Sequence, residues 1–354
     1  MEYTIDLSKY SDMNDKQKNI SFRIFKNRIL NKIQDDIREE YCLCCGKKME
    51  KEAYCRSHSF PKSYLKNISD NGEIYSWNVT QNTFIQYDTI GTKVSGIFRN
   101  ICRSCDQVIF TTYENEKNYK NGISDQIINE IAYKNSLYRL YKDKIAEKFF
   151  ESNLNKCDDY IYYEAFHRDV EDDYNKVRLL KNKLEKRKSY FQVSWNKQLP
   201  YRVPVAFQGE IYMVVDFEGS MINDLDCYDL GYEICPLYIC IFPFKTTTEV
   251  IVFAQKTSKR YRKFKKQFMK LEDDDKLHLI LYLIILYSDE YYISPKIRDI
   301  IFEDEQFKET ARIHYPKSLV SMQIKEKMKF VNQIYGLESF KKITNLLSIN
   351  YKIS

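Results

Sequence analysis

Glycine and proline are scarce in this chain of 354 residues, at 9 and 7. That excludes collagen-like repeats, Gly-rich phosphate loops and Pro-rich linkers. Internal repeats and low-complexity tracts are also lacking. The longest near-continuous apolar run, Leu277 to Tyr287, is 11 residues. A membrane span needs about 20, so this run predicts a buried helix and no membrane partner. The opening MEYTIDLSKYSDMNDKQ is polar and has no signal-peptide core. A cytoplasmic protein is therefore expected. Neither sign of charge dominates, since 56 Lys+Arg against 50 Asp+Glu leaves +6. Such a balance permits a nucleic-acid partner without arguing for one, because local clustering matters more than net charge. With 44% apolar and 30% charged residues, the composition is that of a folded globular chain.

Cysteine, by contrast, is abundant. Ten cysteines in a chain without a secretion signal imply reduced thiols, which makes metal ligation their first use to test. Two C-x-x-C pairs stand out, Cys42/Cys45 and Cys102/Cys105. Each pair forms a tight turn that sets two thiolates about a tetrahedral edge apart. Four thiolates then close the coordination shell, so a zinc ion held there is structural. Cys44 and Cys55 leave a shifted register open, although Cys42 and Cys45 have the better geometry. Plain buried thiols are the alternative.

Between the pairs lies Ser57-His58-Ser59-Phe60-Pro61-Lys62-Ser63, an H-x-x-P-x-S pattern. In order and spacing, Cys42 to about Glu114 resembles the HNH (ββα-metal) nucleases. It is similar especially to the zinc-ribbon kind found among phage junction-resolving endonucleases and bacterial restriction and defence nucleases. That resemblance implies a strand ending at His58, the general base, and a helix opened by the second cysteine pair. Asp106 falls where the family places an Asn or His that helps hold the divalent metal. Ser57 falls where an acid is usual, which is a departure. A hard ion such as Mg²⁺ or Mn²⁺ prefers at least one carboxylate, and Asp106 restores the charge missing at 57. Glu114, two turns beyond Asp106 on the same expected helical face, is a further candidate ligand. Neutral imidazole suits proton abstraction near pH 7. As an isolated residue, His58 would read as a structural or zinc-binding histidine.

The fold class read from the chain is α+β: a small zinc-ribbon ββα-metal module followed by a mixed helical and antiparallel β region. Residues 1–40 are expected to be an N-terminal helical extension, its first 20 residues a poorly structured lead, with Phe22, Phe25, Ile29, Ile33 and Ile37 at helical spacing after it. The module occupies 41–120 and includes an inserted hairpin, EIYSWNV and NTFIQYD. Asn121-Gly122 then breaks the chain. A sensor or regulatory region follows over 121–354, helical at 121–190, β-rich at 191–255 and helical at 256–354. Its first helix carries Ile127, Ile131, Tyr138, Tyr141, Ile145 and Phe149 on one face. Residues 168–188 predict a charged helix with Val170, Tyr174, Val177 and Leu184 as its stripe, either solvated or in a short coiled-coil contact. PYRVPVAF, EIYMVVDF, ICPLYICIF and TEVIVFA read as strands, the last two joined by Phe244-Lys245-Thr246-Thr247 into a hairpin. Asp273, Asp274 and Asp275 are expected to cap the apolar helix.

Outside the module, Lys259 to Phe268 predicts a basic helix with Tyr261, Phe264 and Phe268 as its buried stripe. It reads either as a solvated face or as a nucleic-acid contact. Lys93, Arg99 and Arg103 could reach phosphates, though isolated cations are more often plain surface. His167, His278 and His314 lack partners at ligand spacing and read as structural. Together these features predict a metal-dependent HNH endonuclease with structural Zn²⁺ and catalytic Mg²⁺ or Mn²⁺. Its expected partner is nucleic acid, DNA first, with a second copy of the chain allowed. Bacterial antiphage defence is the setting the resemblance implies. The rival readings are an inactive nucleic-acid-binding ribbon, an RNase on the same fold, and a zinc domain serving protein contacts.

Overall fold

The computed structural model describes residues 28–50, 55–79, 85–152, 157–187, 190–225, 227, 231–288, 290–313 and 324–354. Phe22, Phe25 and His314 lie outside the described residues. The protein is an α+β chain with antiparallel sheets. No helix of the described residues is long and apolar enough to cross a membrane. Backbone contacts divide the chain into two units. Unit 1 comprises 1–59, 96–115 and 126–188, and unit 2 comprises 60–95, 116–125 and 189–354. The segment 41–120 is thus shared: its cysteine-bearing ends belong to unit 1 and its centre to unit 2.

Unit 1 contains helix α1 (28–36), whose Ile33 is buried together with the following Ile37. Strands β1 (Ser57–His58) and β4 (Ile97–Phe98) pair antiparallel, Ser57 opposite Phe98 and His58 opposite Ile97. Helix α3 (Arg103–Ile109) follows them, and two long helices complete the unit, α4 (Asp125–Glu151) and α5 (Cys157–Glu185). On α4 the expected stripe is buried at Ile127, Ile131 and Tyr141, but Phe149 at the far end is exposed. Helix α5 begins well before residue 168. Its Val170, Val177 and Leu184 are buried, and Tyr174 donates to Glu39 at 2.5 Å. His167 has a partner that the spacing did not reveal, Glu147 on α4, at 2.6 Å.

Unit 2 is built on a seven-stranded sheet in the order β3-β2-β9-β6-β7-β8-β5, antiparallel at every junction. The hairpin β2 (Glu73–Val79) and β3 (Ile85–Gly91) forms one end of it. Beside β2 come β9 (Tyr292–Ile293), β6 (Val205–Ile211), β7 (Leu237–Pro243), β8 (Thr248–Gln255) and β5 (Phe191–Leu199). As expected, β7 and β8 are joined by residues 244–247, with Pro243 opposite Thr248. The expected strands over 200–207 and 210–217 are corrected to the single strand β6. Gly209 lets it run through, because a Cβ there would lie 2.8 Å from the Phe207 ring. Beyond it, the buried Asp216 carboxylate accepts the backbone N–H groups of Glu218 and Ser220 at 2.8 and 3.0 Å and closes a loop instead.

The apolar run becomes α7 (Asp273–Tyr287), buried from Leu279 through Leu286. Its N-cap is Glu272, and no side chain caps it. The three aspartates sit in the first turn, where they offset the helix dipole instead of capping it. Helix α6 (Arg262–Met269) buries Phe264 and Phe268, as the basic stripe predicted. Unit 2 also contains α2 (Lys62–Ile68), α8 (Arg298–Glu303), α9 (Glu305–Arg312) and α10 (Ile324–Tyr335). His278 has a backbone partner, with Nε2 2.8 Å from the Ile343 carbonyl.

Candidate metal centre and active site

The first cysteine pair sits in a knuckle closed by its own backbone. Cys42 N–H donates to the Lys47 carbonyl at 2.9 Å, and Gly46 N–H returns to the Cys42 carbonyl at 2.8 Å. Gly46 has φ +71°, a left-handed turn that other residues adopt at a cost, so a glycine follows the pair. Cys102 is the N-cap of α3, and its backbone N–H donates to the Cys42 sulfur at 3.2 Å. One turn of helix then carries Cys105 back to the same point.

The four sulfurs of Cys42, Cys45, Cys102 and Cys105 all lie within 4.8 Å of one another. Those of Cys45 and Cys102 are 3.9 Å apart. A tetrahedral zinc–thiolate site with bonds of about 2.3 Å requires sulfurs about 3.8 Å apart, so the donor set fits a structural metal such as zinc. Burial pushes the Cys42 and Cys105 thiols up, whereas the Lys47 backbone N–H lowers Cys45 to about 7. Thiols packed this closely resist ionising together unless a cation compensates them, and zinc does so by displacing their protons. Cys44 and Cys55 fall outside the group. Burial raises Cys44 to about 11.

Cys55 belongs instead to a second polar group built around Asp106, the residue after the last cysteine. Ser57 Oγ donates to Asp106 Oδ1, and Cys55 Sγ points to Oδ2 at 3.5 Å. Burial, and then the Asp106 charge, push the Cys55 thiol up to about 12, so it stays a neutral donor. Lys134 on α4 brings its ammonium 3.8 Å from Asp106 and 2.5 Å from Glu114, with its side chain only 3% exposed. The same ammonium lies over the Phe110 ring, 4.3 Å from its centroid. His58, half-buried and next to Ser57 on β1, pairs with Ile97 across the two-stranded sheet.

Glu114 is not on the helix that carries Asp106. Helix α3 ends at Ile109, because the Glu130 carboxylate accepts the backbone N–H groups of Thr112 and Tyr113 at 3.0 and 2.9 Å and turns the chain. Glu114 still comes near Asp106, through the lysine between them. Arg99 is tied to Asp35 at 3.6 Å, whereas Lys93 and Arg103 are exposed. Sequence reasoning missed Lys134 and Glu130. The signal was present in α4, where both fall at helical spacing among the buried Ile127 and Ile131. A charge on the buried face of a helix marks a built polar site. No protein-family model, curated protein or solved structure matches this chain.

Proposed function

We propose that unit 1 carries a metal-dependent HNH-type endonuclease site. Zinc at the four cysteines braces it, and His58 is the general base for hydrolysis of DNA phosphodiesters. The observation that carries this reading is the contact of Ser57 with Asp106. One residue precedes His58 on β1, and the other follows the last cysteine on α3. These are the strand and helix positions where the resembling family holds its hydrolytic metal. Within unit 1 the order β1, β4, α3 supports it as well, being two antiparallel strands and a helix, with α2, β2 and β3 of unit 2 inserted between the strands.

The Asp106 carboxylate and Ser57 hydroxyl are hard oxygen donors of the kind Mg²⁺ or Mn²⁺ takes. Such an ion, when bound, polarises the scissile phosphate and stabilises the leaving oxygen. His58 removes the proton of the attacking water, and Lys134 adds a fixed positive charge beside the phosphate. Glu114, engaged by Lys134, orients that ammonium.

Lys134 also favours a second reading. Its ammonium already neutralises both carboxylates, and Ser57 supplies no charge of its own. The module would then grip nucleic acid without cutting it.

Supercoiled plasmid, incubated with the full-length protein under a Mg²⁺ or Mn²⁺ titration, separates the two readings. The nuclease reading expects cleavage that mild chelation stops and added metal restores, with zinc retained. Asp106→Ala should lose cleavage, with partial recovery at high Mn²⁺. Binding without cleavage at every metal concentration selects the second reading. Single-stranded RNA, run in parallel, detects an RNase.

A further inference from the structure

In unit 2 a cleft of about 700 Å³ opens beside α6, bounded by β5 and the end of β8. Its charged residues are all basic, namely Lys256, Arg262, Lys265, Lys266 and Lys270, and no acid lines it. In a chain with nearly equal numbers of acids and bases, that concentration of one sign focuses a positive potential in a concave surface. Two other cations near the helix have partners. Lys263 pairs with Asp216 at 3.3 Å and Glu218 at 2.8 Å, and Arg260 lies over the Tyr232 ring at 4.2 Å. On the cleft side, Arg262, Lys265, Lys266 and Lys270 take part in no ion pair among the described residues. On the helix Lys263 is thus neutralised from within, whereas Arg262, Lys265 and Lys266 are left for an external anion; Lys270, at the helix end, also acts on Glu218.

Two further features fit a phosphate ligand. β5 is the last strand of the sheet, and its register shifts between Val193 and Trp195, so Ser194 bulges at the cleft. Ser258 also lines the cleft, and its hydroxyl oxygen is buried with no hydrogen-bond partner among the described residues. A buried polar atom without a partner calls for an external one. The spacing then selects the ligand. Arg262, Lys266 and Lys270 recur every four residues, so their side chains step along the helix by about 6 Å. Successive phosphates of an extended nucleic-acid strand are separated by a comparable distance, whereas those of a nucleoside triphosphate are much closer together. Tyr261, the aromatic residue of the lining, is buried, which leaves no exposed ring for base stacking and makes the contact one with the backbone.

The geometry points to a binding site for the backbone of single-stranded nucleic acid in the α6 cleft, with Arg262, Lys266 and Lys270 each meeting one of three successive phosphates. It rests on the reading above only in that the chain handles nucleic acid. The cleft admits a few nucleotides of one strand and is too small to enclose a duplex.

Fluorescence anisotropy with full-length His58→Ala protein, a mixed-sequence single-stranded DNA and a salt titration tests it. Arg262→Gln/Lys266→Gln/Lys270→Gln is compared with Lys329→Gln/Lys342→Gln/Lys352→Gln, which removes three exposed charges elsewhere. The cleft variant should lose about tenfold or more in affinity, and its slope of log K on log salt should shrink by about 2, three contacts at about 0.7 each. The control should keep both. Equal affinity and slope in the two variants overturn the site. Duplex binding that falls as much as single-strand binding in the cleft variant, or displacement of the single strand by micromolar nucleoside triphosphate, overturns the assigned ligand. Plasmid cleavage by the unmutated protein is scored separately. Cleft-dependent binding without cleavage refutes only the nuclease reading, and cleavage with cleft-independent binding refutes only this one.

Discussion

In unit 2 every residue of β7 is buried and α7 buries ten side chains, whereas in unit 1 helix α3 buries none. One continuous apolar cluster runs through unit 2 from Leu199 to Leu347. Unit 1 has buried apolar residues too, among them Phe98, Ile101, Phe110 and Leu137, but it sets polar groups beside them. Four sulfurs cluster at one end, Lys134 is enclosed by Asp106, Glu114 and the Phe110 ring, and Asn100 donates to the Leu137 carbonyl at 2.8 Å. Apolar burial stabilises both units, and at the cysteine end of unit 1 thiols and ion pairs are set among the buried Phe98, Ile101, Phe110 and Tyr133.

The sharpest way to break the comparison is to remove the metal. Structural zinc sites contribute about 10–16 kcal/mol of binding free energy in small zinc-finger peptides, and this is coupled to folding. Cys42→Ser or Cys105→Ser should therefore lose zinc by elemental analysis. Hydrogen exchange should speed up across 41–59 and 96–115 while β7, β8 and α7 stay protected. Loss of protection in both units together would refute separate modes of stabilisation.

Lys134→Met is next in size. It leaves Asp106 and Glu114 without their cation, and breaking a buried pair costs about 3–5 kcal/mol, less here because Glu114 is partly exposed. Urea unfolding of unit 1 should shift to lower concentration with zinc retained and unit 2 unchanged. An unshifted midpoint would mean that the ammonium is not holding the site together.

The smallest effect sharpens the picture of unit 2 and concerns pH. Glu249 on β8 is buried, and its burial raises the carboxyl to about 7 from an ordinary 4.5, against the lowering effect of Asn196 and Gln198. Between these values the folded chain keeps a proton that the unfolded chain has lost. Unit 2 stability should therefore fall as pH rises from about 4.5 to about 7 and level off above. Glu249→Gln should flatten that slope, by up to roughly 3 kcal/mol at neutral pH. Parallel pH profiles for variant and unmutated protein would contradict it.

What could be read from the residues alone was whatever depends on local spacing. Two C-x-x-C pairs place their sulfurs by turn geometry, an apolar run of α7's length must be buried, and ICPLYICIF–TEVIVFA contains its own four-residue turn. What could not be read depends on distant partners. Glu114 was placed on the Asp106 helix because nothing nearby in sequence ends α3, whereas the Glu130 carboxylate that turns the chain lies on α4. Lys134 reaches Asp106 only after α4 packs, so its role was invisible in the 41–120 segment. β5 was missed because FQVSWNKQL alternates poorly, as a bulged strand at the end of a sheet does. A fragment of residues 1–120 lacks Lys134 and Leu137, so the site needs the longer chain.

The claim that unit 1 is a nuclease rests finally on His58. Cleavage of plasmid DNA by unmutated protein and by His58→Ala, at matched zinc content and saturating Mg²⁺, tests it most directly. A positioned general base contributes about 10²–10⁴-fold, so the variant should lose cleavage by that factor, keep its zinc and bind DNA normally, and extra metal should not rescue it. Cleavage at the unmutated rate, or loss of zinc with unfolding of unit 1, would contradict the assignment.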